Sequence, residues 1–312
     1  MSDANRGLGR GALREQHVNR ARGLFAAKSA IVTGGASGIG RALGAQLCAF
    51  GAHVVLADID GVGAERAAEE LAAGAARAGG SVVGVEVDVC DRAGVQALVQ
   101  HVAEEHGGLD LLFNNAGLAM GGPTEEMPGS YWDRIIDVNI GGVVNGVLAA
   151  YPLMIDQGRG HIVNTASGAG LAAAVFAAAY TTTKHAVVGL STALRPEAAA
   201  HGVRVSVLCP GMVETPILDK GPPADLPAAT GSALTGRAYL ETAGLSPIPA
   251  GRLAARALRG VARNKAIIVI PRTLKAGWIL TRLSPTTMDA AARFTGRRVR
   301  SEMAKLPPTP QE

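Results

Sequence analysis

Short apolar runs alternate along the chain with longer stretches whose apolar positions recur every three to four residues. Lys28–Thr33 (KSAIVT), Ala52–Ala57 (AHVVLA), Ser81–Val87, Leu109–Phe113, His161–Ala166, Val203–Cys209 and Ile267–Ile270 read as seven strands. Between them, Arg41–Phe50 sets Leu43, Leu47 and Phe50 at helical spacing, and Gly61–Ala78 is amphipathic and rich in Ala, Glu and Arg. Asp91 is placed to cap a helix running to about His106. Ser130–Ile155 predicts a long helix broken near Pro152, and Tyr180–His201 predicts another, with a kink at Pro196. Strands alternating with helices imply βαβ crossovers and a parallel sheet. The expectation is a doubly wound α/β fold: a seven-stranded, mostly parallel sheet with helices on both faces, plus a helical C-terminal extension. The strands are near-continuous Val, Ile and Leu, as strands covered on both faces should be.

No linker divides the body. The expected organisation is a flexible basic extension over 1–27, one catalytic domain over 28–271, and a basic helical extension over 272–312. Lys220–Pro249 is rich in Gly, Pro, Ala and Thr and follows the C-terminal end of a strand, so about 216–250 reads as a lid.

Charge follows this division. The net charge of +4 resolves into +4 over residues 1–28, −7 over 29–262 and +7 over 263–312. The basic character belongs to the ends, so the body gives no reason to expect nucleic-acid binding. Cys48, Cys90 and Cys209 are too widely spaced to ligate a metal and sit in apolar stretches. They read as buried reduced thiols in a reducing cytoplasm. No run of about 18 apolar residues predicts a spanning helix; the longest candidate is Gly170–Tyr180. The Arg-rich start lacks the apolar stretch of a secretory signal and is weakly like a transit peptide. A disordered extension or a misplaced start fits it better.

Forty-one glycines in 312 residues, with only 4% aromatics, suggest tight turns and close backbone approach to a ligand. The first strand runs into Thr33-Gly34-Gly35-Ala36-Ser37-Gly38-Ile39-Gly40 and then a helix, whose free N–H groups and dipole suit a pyrophosphate. Taken alone, such a turn is weak evidence. Asp58 ends the second strand, where a carboxylate accepts both ribose hydroxyls and repels a 2′-phosphate. No Lys or Arg stands inside the turn, so NAD is favoured over NADP. Asp58 could instead cap the next helix, but Asp60 suits that role better.

With these residues in view, the sequence resembles the short-chain dehydrogenase/reductase family over about 28–215, in its short single-domain branch. The resemblance rests on an ordered set: Gly34-xxx-Gly38-x-Gly40, Asp88-Val89, Asn114-Asn115-Ala116-Gly117, Asn139 in DVNI, Ser167 in NTASGAG, Tyr180 and Lys184 in YTTTK, and Pro210-Gly211-Met212-Val213-Glu214-Thr215. It implies a Rossmann fold and an oxidoreductase acting on CH–OH. It implies that Gly34, Ser37, Gly38, Ile39, Gly40, Asp58, Asp88, Val89, Asn115, Ala116, Gly117, Tyr180, Lys184, Pro210, Gly211, Val213 and Thr215 hold the cofactor. It further implies catalysis by Asn139, Ser167, Tyr180 and Lys184, and a homodimer or homotetramer.

The chemistry agrees with those residue types. Removing an alcohol proton as hydride leaves needs a base, and a free tyrosine titrates too high, near pH ~10. Lys184 shares a helical face with Tyr180, and its cation, together with the positive nicotinamide ring, is expected to lower the tyrosine's pKa. Ser167 would orient the substrate oxygen, and Asn139 would hold a water joining Lys184 to solvent. A Ser/His hydrolase is excluded by the absence of G-x-S-x-G and of a His partner. His185 faces roughly 100° away from Lys184.

Gly168–Ala179 is almost entirely small and apolar, which leaves room for a lipophilic secondary alcohol or ketone; the same alanines could simply pack. In the C-terminal extension, Leu274, Trp278, Ile279 and Leu283 fall near one face, and Arg293, Arg297, Arg298 and Arg300 follow. Such segments dock on the body or a partner subunit as a lid, or touch an anionic membrane surface. The alternatives kept open are an NADP-dependent ketone reductase and a catalytically silent NAD-binding module. The localisation expected is cytoplasmic, with membrane association open.

Overall fold

The computed structural model describes residues 23–219, 226, 236–243 and 246–303. Most of the predicted lid, the basic start and the last few residues lie outside these. Nine strands are described: β1 (Ser29–Thr33), β2 (His53–Asp58), β3 (Ser81–Glu86), β4 (Leu111–Asn114), β5 (Gly160–Thr165), β6 (Val203–Pro210), β7 (Val213–Glu214), β8 (Ile248–Pro249) and β9 (Ile267–Ile270). Seven of them form one sheet in the order β3-β2-β1-β4-β5-β6-β9, every neighbour parallel. The strand order reverses between β1 and β4. That leaves a crevice at their C-terminal ends, where ligands bind in such sheets.

The helices described around the sheet are α1 (Gly38–Ala49), α2 (Gly61–Ala78), α3 (Arg92–His106), α4 (Gly129–Ile136), α5 (Gly142–Asp156), α6 (Ala178–Ala199), α7 (Gly236–Ala243), α8 (Ala250–Ala262), α9 (Arg272–Leu283) and α10 (Pro285–Met303). Leu43, Leu47, Leu56, Leu253 and Leu258 anchor the core on one face of the sheet, beneath α1, α2 and α8. Leu98, Val102, Leu112, Met154 and Leu194 anchor the other, beneath α3, α5 and α6. Full burial of such a side chain stabilises by about 1.5–3 kcal/mol. Phe25, placed by sequence in the flexible extension, is buried and stacks on Phe50 at 5.8 Å. Asp60 and Asp91 cap α2 and α3 by accepting from the amides of Gly63 and Ala93.

The predicted helix over 130–155 is interrupted, but not at Pro152. The interruption is a π-turn, Asp137–Gly141, between α4 and α5. Pro152 lies inside α5 on its exposed side, where a freed carbonyl meets water. Likewise α6 runs through exposed Pro196 to Ala199. The run Gly129–Asp156, with mean hydropathy 1.5, is long and apolar enough to cross a membrane by length and composition, unlike the stretch 170–180 singled out by sequence. Half of an 18-residue apolar stretch within it is buried inside the molecule. Its length emerges only once two helices are joined across the π-turn.

The apolar face predicted for α9 divides in two. Leu274 and Trp278 are half-buried, whereas Ile279 and Leu283 are exposed, together with Leu280. At about 100° per residue these positions spread over about two-thirds of the helix circumference, so no single surface covers them all.

Candidate active site

The Gly-rich turn joins β1 to α1 at the crevice. A Cβ at Gly40 would stand 2.0 Å from the Gly34 carbonyl oxygen, and one at Gly34, whose φ is +67°, would stand 3.0 Å from the Ala116 Cα. Only bare backbone fits there. Ser37 precedes α1 with extended backbone and no side-chain cap, so its hydroxyl does not occupy the helix's N-terminal amides. Thr33 Oγ1 accepts from the amides of Asn115 (2.9 Å) and Ala116 (3.0 Å), and Asn115 Nδ2 donates to the Thr33 carbonyl at 2.9 Å. These bonds stitch the ends of β1 and β4 together beneath the crevice.

Asp58 reaches the turn from the end of β2. Its Oδ2 accepts from Ala36 N at 3.0 Å and its Oδ1 from Asp60 N at 3.1 Å. Asp88 Oδ1 accepts from Cys90 N, and the Val89 carbonyl accepts from Asn145 Nδ2. Val89 itself is buried against α5, close to Gly142. Ile39 packs on the core. Opposite, Pro210 ends β6, Gly211 N donates to the Ile270 carbonyl at 2.6 Å, and Val213 is buried in β7. Thr215 follows, its Cγ2 3.1 Å from where a Cβ at Gly38 would be. A cleft lined by Glu214, Thr215, Pro216 and Asp219 opens there. A backbone cradle, uncommitted helix-terminal amides and a carboxylate at the end of β2 fit a dinucleotide.

Ser167 follows β5, and its Oγ accepts from Ala169 N at 3.2 Å. Its side chain lies beside the phenol of Tyr180 and acts to lower that group's pKa. On α6, Lys184 is buried one turn beyond Tyr180, with Nζ 5.5 Å from the Tyr180 ring centroid and donating to the Thr165 carbonyl at 3.2 Å. Asn139, fully buried in the π-turn, clasps Leu118. Its Oδ1 accepts from Leu118 N at 2.8 Å, and its Nδ2 donates to the Leu118 carbonyl and to Thr183 Oγ1, each at 3.0 Å. Thr183 Oγ1 in turn donates to the Tyr180 carbonyl. Gly117 is where these meet: a Cβ there would be 2.9 Å from Asn139 Oδ1 and 3.3 Å from Lys184 Nζ.

Burial governs the protonation of this group. It lowers Lys184 to about 8 and pushes neighbouring Cys209 up to about 12. Burial also raises Tyr180 above its ordinary value, against the opposing effect of the Ser167 side chain. The depressed tyrosine expected from sequence is thus not a property of the protein alone, because desolvation of the phenolate outweighs that opposing effect. His185 is exposed, with its ring against the Thr181 carbonyl, and takes no part.

Tyr180 also borders an apolar cluster of Met120, Tyr131, Ile135 and Ala179, with Leu118 and Trp132 packed against it. Sequence reading passed over Thr33, Thr183 and Leu118. It also passed over the buried ladder in which Asn114 Nδ2 donates to Asn164 Oδ1 and Asn164 Nδ2 donates to Ser191 Oγ. Small polar residues inside apolar strands were the available signal, since buried polar groups need partners. Among the described residues no cluster of His, Cys, Asp and Glu could hold a metal.

The family model for short chain dehydrogenases matches residues 28–224. The probable oxidoreductase EphD of Mycobacterium tuberculosis is 39% identical over 208 residues, 66% of this chain and 34% of that protein, so the chain spans about a third of its length. D-beta-hydroxybutyrate dehydrogenase of Rhizobium meliloti is 36% identical over 193 residues, 62% of this chain and 74% of that one. Among solved structures, a short chain dehydrogenase/reductase from Burkholderia phymatum in complex with NAD superposes with a TM-score of 0.73 at 30% identity, covering 92% of this chain and 99% of that one. With its parallel sheet, Gly-rich turn and Ser167, Tyr180 and Lys184 gathered at one rim, the chain belongs to the short-chain dehydrogenase/reductase family.

Proposed function

We propose that this protein is an NAD-dependent oxidoreductase that interconverts a lipophilic secondary alcohol and its ketone. The observation that carries the reading is the convergence of Ser167, Tyr180 and Lys184 beside the crevice. The catalytic unit is 28–271, and Gly34, Ser37, Gly38, Gly40, Asn115, Ala116, Gly117, Pro210, Gly211 and Thr215 supply the backbone and hydroxyl groups that hold the dinucleotide. Asp88, Val89, Ile39 and Val213 shape that site through their backbone and packing. Asp58 carries the choice of NAD, because its carboxylate repels a 2′-phosphate.

Bound NAD supplies the hydride acceptor, and its oxidised ring is a positive charge. Ser167 holds the substrate oxygen. Tyr180 gives its phenolic proton to the carbonyl oxygen in reduction and takes the hydroxyl proton in oxidation. A raised tyrosine pKa keeps the phenol protonated and ready for reduction in the resting protein. Lys184, mostly ammonium at pH 7 with its pKa near 8, is a fixed cation beside the tyrosine. Asn139 is a positioning residue: both Nδ2 hydrogens are committed, to Leu118 and Thr183, and they hold the π-turn against α6. The water expected beside it would take other partners.

The apolar cluster beside Tyr180 supports a lipophilic substrate. Exposed Ile136 and Leu148 on α4 and α5 support self-association through these helices. Buried, unpaired Cys48 and Cys209 support a location in the reducing cytoplasm. Exposed Ile279, Leu280 and Leu283, flanked by Lys275 and Arg282, support peripheral contact with an anionic membrane; Leu280→Asp with Leu283→Asp should then abolish sedimentation with anionic vesicles. The central test is titration with NADH and NADPH, followed by turnover of a ketone panel. Tight NADH binding with turnover lost in Tyr180→Phe is expected. NADPH preference, or turnover retained in that variant, would overturn the assignment.

A further inference from the structure

The helical pair after β9 lies across both ends of the loop that joins Ser167 to Tyr180. At the first end, Leu274 of α9 rests on Gly168: a Cβ there would sit 3.1 Å from both Leu274 Cδ1 and Cδ2. The same side chain lies 3.6 Å from where a Cβ at Gly211 would be. Leu274 therefore bridges the residue after the proposed substrate-orienting serine and the turn after β6. At the other end, α10 meets the loop at two positions one helical turn apart. Gly296 lies against Val175, with 3.3 Å from a Cβ position to Val175 Cγ1, and the Arg300 guanidinium stacks on the Phe176 ring at 5.9 Å. Arg300 Nη2 also donates to Glu125 Oε1 at 3.0 Å, on the segment that follows β4. Val299, between these contacts, is buried. Phe176 holds a positive φ of +57°, unusual for an aromatic residue, at the point Arg300 covers.

We propose that α9 and α10 roof the substrate cleft and that Leu274 sets the size of the apolar group admitted above Ser167. The inference rests on the oxidoreductase reading above and names a specificity residue for that same site. Leu274 is half-buried, apolar and held in place by contacts on two sides, so it is a wall rather than a mobile tail. An unbranched or cyclic hydrocarbon on the carbonyl carbon, lying away from the cofactor turn, would meet its methyl groups. Arg300 is a positioning residue that fastens α10 to the loop through Phe176 and Glu125.

The test uses the full chain and a graded series of ketones from acetone-sized to bicyclic, measured both as NADH-dependent turnover and as calorimetric binding to the protein–NADH complex. For Leu274→Ala the ratio of kcat/KM for bulky over small ketones should rise at least about tenfold, the lower end of what one methylene discriminates. Leu274→Trp should lower it, Leu274→Met should leave it near the original, and Gly168→Ala, which fills the same space from below, should lower it. NADH affinity, unchanged in each, reports an intact fold. Turnover whose ranking does not move with position 274 overturns the roof. Binding that re-ranks with position 274 but is not accompanied by turnover upholds the roof and overturns the oxidoreductase reading. Neither binding nor turnover of any ketone overturns both.

Discussion

The Asp58 carboxylate and the Ala36 amide are hydrogen-bonded across the mouth of the Gly-rich turn, Oδ2 to N at 3.0 Å. One side chain thereby pins the turn and brings a negative charge to the place where a ribose is expected. Asp58→Asn keeps one acceptor and removes the charge. The expected result is a rise of at least ~10-fold in the ratio of NADPH to NADH affinity, with some loss of stability because hydrogen bonds to a charged group contribute roughly 1.5–3 kcal/mol. Nicotinamide fluorescence titrations measure the first, and an unchanged ratio would remove Asp58 from the ribose site.

Lys184 is held as a buried cation at a cost. Its folded pKa of about 8 lies below the ordinary 10.5. Between those values the unfolded chain holds more protons than the fold, so stability rises with pH through that window, and the full cost is present below about pH 8. Lys184→Met should raise the Tm of the cofactor-free protein at pH 7, with the gap to the parent closing towards pH 10.5. Turnover should fall by at least ~10²-fold. Thermal melts across pH check this, and a gap that is absent at pH 7 would mean the lysine bears no burial penalty.

Gly117→Ala places a methyl group 2.9 Å from Asn139 Oδ1 and 3.3 Å from Lys184 Nζ. The Asn139–Leu118 clasp must loosen. We expect a loss of about 1–3 kcal/mol in denaturant unfolding and a fall in kcat larger than any change in NADH affinity. Equal loss of both would point to collapse of the cradle instead.

His161 lies far from this chemistry, between β5 and β6, with Nε2 2.8 Å from Ser206 Oγ. Burial, then Arg204 and Arg195, depress it to about 3 from 6.5. Its contribution is complete above pH 6.5 and is lost as pH falls towards 3, by about 1.4 kcal/mol per pH unit. Urea midpoints should therefore drop between pH 6.5 and 4, and His161→Gln should flatten that drop.

What could be read in advance follows from how local each feature is. The strands announced themselves as short Val, Ile and Leu runs. Tyr180 and Lys184 sit one helical turn apart, a spacing that needs only the 3.6-residue period. The π-turn at 137–141 was invisible, because its cause is the capture of Asn139 by Leu118, a partner 21 residues away. The divided face of α9 was missed because which side docks depends on Gly168 and Gly211, residues of other elements. The raised pKa of Tyr180 in the protein alone was not legible, because a motif names the neighbouring cation and says nothing of the water that burial removes.

The helical pair α9–α10 comes after β9, the last strand of a sheet that is complete without it. The residues proposed here for cofactor choice, proton transfer and substrate size, namely Asp58, Tyr180 with Lys184, and Leu274, thus belong to three successive stretches of chain. Substitutions in the final stretch can retarget such a protein while its reaction coordinate stays untouched. Its range of substrates and its chemistry are then free to drift at different evolutionary rates, and grafting 272–303 between relatives becomes a route to new specificities.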